Sequence, residues 1–292
     1  MTSTVAKTDR MQLTRWEMVW RALRSSPPLV VGVIGFTVLL VLVAFGPAIA
    51  PFRFSDMHPG ATFSPPLQPP HWLGTDEFGR DILSRIVYGA RYSVFVAFFA
   101  AVIAVVLGGV AGMIAGYYGG ILDHLISRLT DLLLSFPALL LAIVVVAVAG
   151  PGITNATITI GIVYAPRVVR VVRGVVLSVK LEDYVQAGRA LGARDVRLMV
   201  LHILPNIATT VAVYMSILFA YGLLTEAALS FLGLGVQPPT PSWGGMLRAA
   251  APYMEMLPSM AILPGLAIMF AVLTFNLLSD GLKQVLDPRL RE

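Results

Sequence analysis

The sequence predicts an all-α fold, a polytopic bundle of six membrane-spanning helices, and three observations lead there. First, 57% of the 292 residues are hydrophobic and only 13% are charged, with a mean hydropathy of +0.80. Soluble domains carry about 25% charged residues, and a chain of this length cannot enclose so much apolar surface in one core. The surplus must face lipid. Second, six apolar stretches lie near 28–50, 91–116, 124–149, 154–176, 206–234 and 258–280. Each reaches the about 20 residues that a helix needs to cross a hydrocarbon core of about 30 Å. Third, runs such as Val30–Phe36 and Leu139–Val144 do not alternate as barrel strands do. Lipid admits only helices and closed barrels, because backbone polar groups must be paired internally.

The elements follow in order. A polar, basic tail over 1–27 precedes the first span at 28–50. That tail is longer than a cleaved signal allows, and the apolar run behind it is long enough to stay in the bilayer. The connection 51–90 opens with a Pro-rich linker (Pro59, Pro65, Pro66, Pro69, Pro70). It should close with a short amphipathic helix over 75–90, capped by Thr75 or Asp76. Small residues from Gly108 to Gly116 allow a second helix to approach closely. Pro137, Pro166 and Pro264 fall inside spans, where each removes a hydrogen bond and can kink the helix. Near 236–257 a Pro-rich turn precedes a short helix starting at Ser242, and a tail over 281–292 ends the chain.

Basic residues set the orientation, since Lys and Arg concentrate on the cytoplasmic side. Lys7, Arg10, Arg15, Arg21 and Arg24 precede the first span. Arg167, Arg170, Arg173, Lys180, Arg189, Arg194 and Arg197 gather around the connection between the fourth and fifth, and Lys283, Arg289 and Arg291 close the chain. Both termini are therefore expected in the cytoplasm of a plasma (inner) membrane protein. The same distribution accounts for the net charge of +5 and speaks against a nucleic-acid partner. There is no cysteine, and His58, His71, His124 and His202 have no metal-ligand spacing, so thiol chemistry is excluded and a catalytic metal is not expected. None of the three lysines, Lys7, Lys180 and Lys283, follows a glycine, so no P-loop exists.

The connection between the fourth and fifth spans reads Glu182-Asp183-Tyr184-Val185-Gln186-Ala187-Gly188-Arg189-Ala190-Leu191-Gly192-Ala193-Arg194-Asp195. Tyr184, Ala187 and Leu191 share one helical face. Ala187, Gly188 and Ala190 keep the helix slim, Gly192 can end it, and Pro205 suits the first turn of the next span. Such a helix either rests on its own bundle or seats in a partner's groove. On residues alone both stand open.

This segment resembles the EAA loop of binding-protein-dependent ABC importers. Ala187, Gly192, Leu204 and Pro205 stand at the expected spacing, while Gln186, Gly188 and His202 depart from the pattern. Three further stretches resemble the "C" permease of dipeptide, oligopeptide and nickel importers. They are Leu73–Arg85, Thr225–Gly235 with Ser242-Trp243-Gly244, and Asp280–Leu282 with Leu286–Arg291. The resemblance implies the type I importer permease fold, with a transmembrane domain over 91–280. It makes 182–195 a coupling helix, with Tyr184, Gln186, Ala187, Gly188, Arg189, Ala190, Leu191, Gly192 and Ala193 meeting an ATPase. It also implies a second, homologous permease subunit, two ATPase subunits or one two-headed ATPase, and an extracytoplasmic substrate-binding protein. No cofactor is expected on this chain, which is not expected to be an enzyme; ATP and Mg would be held by the partners. The expected cargo is a dipeptide or oligopeptide, with nickel or another small solute as the alternative.

Ionisable residues inside spans are the remaining candidates. Glu226, with Ser230 one turn on, is a candidate for the translocation pathway or for a structural hydrogen bond. Asp131 stands three residues from Arg128, a pairing distance on a helix. An ion-driven secondary transporter, the reading from a different class, would show related halves and midplane ion ligands, and no convincing repeat is visible. A membrane-embedded enzyme would need a metal cluster or an activated nucleophile, and neither pattern occurs.

Overall fold

A computed structural model describes residues 26–286, and the expectations for the rest of the two tails, including Lys7, Arg10, Arg15, Arg21, Arg24, Arg289 and Arg291, lie outside the described residues. Ten α-helices follow one another among them: α1 Pro27–Ile49, α2 Ile82–Tyr118, α3 Gly120–Leu134, α4 Ala138–Ala149, α5 Ile153–Val179, α6 Asp183–Ala190, α7 Asp195–Leu198, α8 Leu204–Phe231, α9 Trp243–Ala250 and α10 Ser259–Leu286. The only β pairing among the described residues is two isolated bridges, Gln68 with His71 and Thr75 with Asp81. The all-α expectation holds.

The count of six spans is modified. Four helical stretches are long and apolar enough to cross a membrane: Pro27–Ile49, Ile82–Tyr118, Asp195–Phe231 and Ser259–Gln284. The expected third span is broken into α3 and α4, bent by 90°. Pro137 explains the break: it lacks an N–H, disfavours the helical conformation at Phe136, and caps the start of α4. The expected fourth span is α5, which is 27 residues long but carries Arg167, Arg170 and Arg173 and falls outside the apolar class. It is sheltered by α2 on one side and α8 on the other. The exposed apolar surface includes side chains such as Ile34, Phe45, Val106 and Val148, the last 86% exposed.

The tightest helix pair is α2 against α5. A Cβ placed on Gly108 would lie 2.6 Å from Val168 Cβ, on Gly112 2.7 Å from Val169 O, and on Gly116 2.8 Å from Val176 Cβ. Three glycines four residues apart thus form a groove into which α5 sinks. Gly109, on the other side of α2, meets nothing within 4 Å. From the opposite helix, Gly161 of α5 admits Ile103. On the far side, α1 packs along α10, with Gly32 under Leu278 and Gly281 under Leu29, and Ser26 Oγ donates to Gln284 Oε1 at 2.7 Å.

The two ends of the bundle differ. One carries α6 and α7. The other carries the connection 51–81 and the segment from 232 to 258. The separate helix expected over 75–90 is absent; α2 begins at Ile82 and runs unbroken past residue 90. The cap is Asp81, which accepts from the Ser84 N–H at 2.8 Å. Asp76 is occupied elsewhere: its Oδ1 accepts from the N–H groups of Phe78 and Arg80, and its Oδ2 pairs with Arg80 at 2.7 Å and Arg85 at 3.5 Å. Arg85 also donates to Phe54 O, and His71 pairs with Asp81 at 3.1 Å. Burial lifts the Glu77 carboxyl above its ordinary pKa, a backbone hydrogen bond offsets part of the lift, and neighbouring Asp76 adds to it. The Leu73–Arg85 stretch is a polar knot that fastens the loop to the start of α2.

Close packing at the α2–α5 groove leads to a stability prediction. Gly112→Ala forces a methyl against a backbone carbonyl and should cost about 1–3 kcal/mol, lowering the melting temperature of the detergent-solubilised protein. Gly109→Ala, facing open space, should leave melting unchanged or raise it slightly.

Candidate functional site

The segment joining α5 to α8 builds a short platform at one end of the bundle. Gly192 has φ +81° and ends α6 as expected. Ala193 N–H reaches back to Gly188 O at 3.1 Å, the wide closing bond of a helix that ends on a left-handed glycine. Of the side chains on α6, only Val185 is buried, at 3% exposure. Val185, Leu198, Met199 and Ile203 belong to the same apolar cluster as the α2–α5 core, and Gly188 admits Leu198. Tyr184, Ala187 and Leu191 point the other way; Tyr184 is 42% and Leu191 88% exposed. Gln186, Arg189, Ala190 and Gly192 are exposed as well, and Ala193 is half-buried. The helix rests on its own bundle by one side and leaves its apolar stripe uncovered on the other.

Polar ties hold the platform in place. Lys180 Nζ donates to Gly116 O at 2.7 Å, at the carbonyl end of α2 where a cation is favoured. Gln186 Nε2 donates to Lys180 O at 2.7 Å. Tyr117 O–H donates to Asp195 Oδ1 at 2.7 Å, and Arg189 lies over the Tyr117 ring with its guanidinium carbon 5.5 Å from the centroid. Tyr117, Lys180, Gln186 and Arg189 line a cavity of about 230 Å³ between the end of α2 and α6. Sequence reasoning missed Tyr117, Lys180 and Asp195 as anchors, because they come from three separate elements. The one local signal was an aromatic pair, Tyr117-Tyr118, ahead of the helix stop at Gly119-Gly120.

Glu226 and Ser230 occupy the other end of α8. Glu226 is 0% and Ser230 1% exposed, so neither borders an open passage in this conformation. Ser230 Oγ donates to Glu226 Oε1 at 2.7 Å and accepts from Val236 N–H at 3.2 Å. The hydroxyls of Ser93 on α2 and Ser242 at the start of α9 lie alongside the same carboxyl. Ser93 in turn accepts from Trp243 N–H, and Trp243 Nε1 donates to Ile86 O at 3.0 Å. Gly89 and Gly244 let Trp243 and α9 close onto α2 and α8. The carboxyl therefore sits in a clasp that joins three helices. The start of α9 at Ser242 follows the sequence expectation, with Ser242 Oγ accepting from Gly245 N–H.

The remaining charges fall on α3 and α5. Asp131 pairs with Arg170 at 2.9 Å rather than with Arg128, because α5 lies across α3 and presents its guanidinium directly. Arg173 grips Asp123 with two nitrogens, the Nη2–Oδ2 distance being 2.7 Å. Among the described residues no group of three or more His, Asp or Glu side chains is arranged to hold a metal.

Residues 108–292 match the family described as the binding-protein-dependent transport system inner membrane component, and residues 14–70 match the N-terminal transmembrane domain of oligopeptide transport permease C. The chain belongs to the binding-protein-dependent permease family. It is 41% identical over 276 residues to the dipeptide transport system permease protein DppC of Alkalihalophilus pseudofirmus, covering 94% of this chain and 90% of the relative. It is also 41% identical to the glutathione transport system permease protein GsiD of Shigella flexneri, over 98% of this chain and 94% of the relative. The protein is a multi-pass inner-membrane subunit of an ABC importer of the dipeptide, oligopeptide and glutathione class, with the type I permease fold. The family is non-catalytic: its members work with a partner permease, an ATPase and a substrate-binding protein, and ATP hydrolysis belongs to the separate ATPase.

Three variants test the permease's anchors. Tyr117→Phe loses the bond to Asp195 and should cost about 0.5–1.5 kcal/mol, seen as faster proteolytic cleavage between 180 and 195. Glu226→Ala strands Ser230 in a buried site and should lower stability by about 1–3 kcal/mol in thermal melting, whereas Glu226→Gln keeps an acceptor for Ser230 and should lose less.

Proposed function

We propose that this permease forms half of the passage of a small-peptide importer, and that α6 is the helix that docks in the ATPase. The observation that carries the reading is the uncovered stripe of Tyr184, Ala187 and Leu191 on a helix whose opposite side is fastened to the bundle through Val185, Lys180 and Tyr117. A helix fastened on one side and bare on the other can pass a push to what it is fastened to. ATP acts through its different affinity for two arrangements of the ATPases, and α6 would carry that difference to α2 and α5. ATP and Mg would be held by the partner subunits, two ATPases or one with two heads.

Charge supports an orientation with α6 and both termini in the cytoplasm. Lys180, Arg189, Arg194 and Arg197 crowd the short connection at the α6 end, the kind of loop whose basic residues set orientation. The polar knot at 51–81 and the segment 232–258 would then face the binding protein. An open apolar groove of about 490 Å³ between α8, α9 and α10 fits a second, homologous permease. Peptide is preferred as cargo because a dipeptide permease is among the similar proteins; glutathione, itself a tripeptide, falls within the same reading.

Leu191→Glu is the test, because the side chain is 88% exposed and its change leaves the fold alone. Co-purification of the ATPase and ATP-dependent peptide uptake into vesicles should fall at least about tenfold, the loss expected when an apolar anchor of an interface is removed, with unchanged melting of the permease pair. Retained ATPase binding and uptake would refute the docking role of α6.

A further inference from the structure

Arg167 is the fifteenth of the 27 residues of α5, about 21 Å from one end of the helix and about 18 Å from the other at 1.5 Å per residue. The sequence reading counted it with the basic connection; the fold sets it in the middle of the bundle. An arginine at that depth is costly unless it pairs or faces water. Arg170 and Arg173, one and two turns on, pair with Asp131 and Asp123 of α3. Arg167 has no carboxylate partner and no side-chain hydrogen bond among the described residues.

Its neighbours are aromatic. The guanidinium carbon lies 4.9 Å from the centroid of Tyr164 and 5.2 Å from that of Tyr221, and the two rings stack with 19° between their planes. Ring faces stabilise the cation without using its N–H groups. The rings are themselves held. Thr225 Oγ1 donates to Tyr221 O at 2.8 Å, so its one proton is committed, and Tyr164 O–H must donate to Thr225 at 2.8 Å. Tyr164 is buried, Arg167 is half-buried and Tyr221 is 46% exposed, so the cluster opens toward the bare side of α8. A rigid aromatic seat thus presents an arginine fork with its donors unspent, the geometry that receives a carboxylate with two parallel hydrogen bonds.

Resting on the peptide-importer reading above, we infer that Arg167, seated on Tyr164 and Tyr221, is a midway station for the carboxylate of the passing peptide. Dipeptides, oligopeptides and glutathione all present a carboxylate, so one station serves the whole substrate class. Its affinity must be modest, because a passage needs sites weak enough to leave. Stacking on tyrosine already stabilises the guanidinium before the solute arrives, which limits what the carboxylate gains.

The test uses the complete complex of both permeases and the ATPases, reconstituted with its binding protein, and radiolabelled dialanine. Arg167→Gln should keep assembly and ATPase stimulation by the loaded binding protein, yet lower uptake about tenfold, the loss of one charge-assisted pair. Arg167→Lys should recover most of it. In equilibrium dialysis without nucleotide or binding protein, the native complex should retain dialanine over its C-terminal amide, and Arg167→Gln should lose that preference. Equal uptake by native and Arg167→Gln complexes, or no preference for the acid in the native complex, would overturn the station. A complex that falls apart with Arg167→Gln and regains assembly with Arg167→Lys would also overturn it, by making Arg167 the partner of an acid on the second permease. If the native complex carries no peptide at all, the importer reading fails instead.

Discussion

The structure depends on one close approach, that of α5 to the glycine groove of α2. In lipid, helices gain nothing from burying apolar surface against each other, so association must come from dispersion at short range. Gly108, Gly112 and Gly116 supply that range by removing side chains along one line of α2. Because the groove is on α2 and its last glycine lies beside Val176, the end of α5 is brought to the end of α2, where Lys180 finds the Gly116 carbonyl. The platform that follows inherits its position from that meeting. Arg170 and Arg173 of α5 are tolerated because each pairs with a carboxylate of α3.

The two ends of the bundle are fastened by different means. At the α6 end the polar anchors are few and peripheral, and Val185 is the one side chain of α6 that is buried. At the opposite end Trp243, Glu226, Ser230 and Ser93 form a buried polar clasp, and Asp76, Arg80 and Arg85 form a second knot beside it. Buried polar groups hold a unique arrangement because few alternatives satisfy them. The α6 end is thus lightly fastened and the opposite end heavily fastened.

Much of this was legible in the sequence, where the cause was local. Ser242 as the start of α9, Gly192 as the end of α6, and the small-residue run of α2 are written in neighbouring residues, and the structure places all three where they were expected. What escaped depended on competition between distant groups. The helix expected to start at Thr75 or Asp76 begins instead at Ile82 with Asp81 as its cap, and Asp76 is taken up by Arg80 and Arg85. Asp131 has an arginine at i−3, yet the one on α5 lies closer. Pro137 announces a disturbance, but the 90° angle between α3 and α4 cannot be read from the proline alone. The carboxyl of Glu226 reads equally as a pore group or a clasp until Ser93 and Ser242, from two other helices, are seen beside it.

One small irregularity has a larger effect than its length suggests. Between α7 and α8 the chain makes a π-turn over Met199–Ile203, just ahead of Pro205, whose missing N–H leaves a carbonyl of the preceding turn free to accept from further along. A π-turn contains one residue more than the helix around it needs. Each helical residue adds about 100° of rotation and 1.5 Å of advance, so this surplus sets the bearing of α7 relative to α8. Shortening the turn by a single residue would rotate Leu198, now buried in the core, by about 100° relative to α8. The extra residue is thus the gauge block that keeps Leu198 and Met199 turned into the core beside α6.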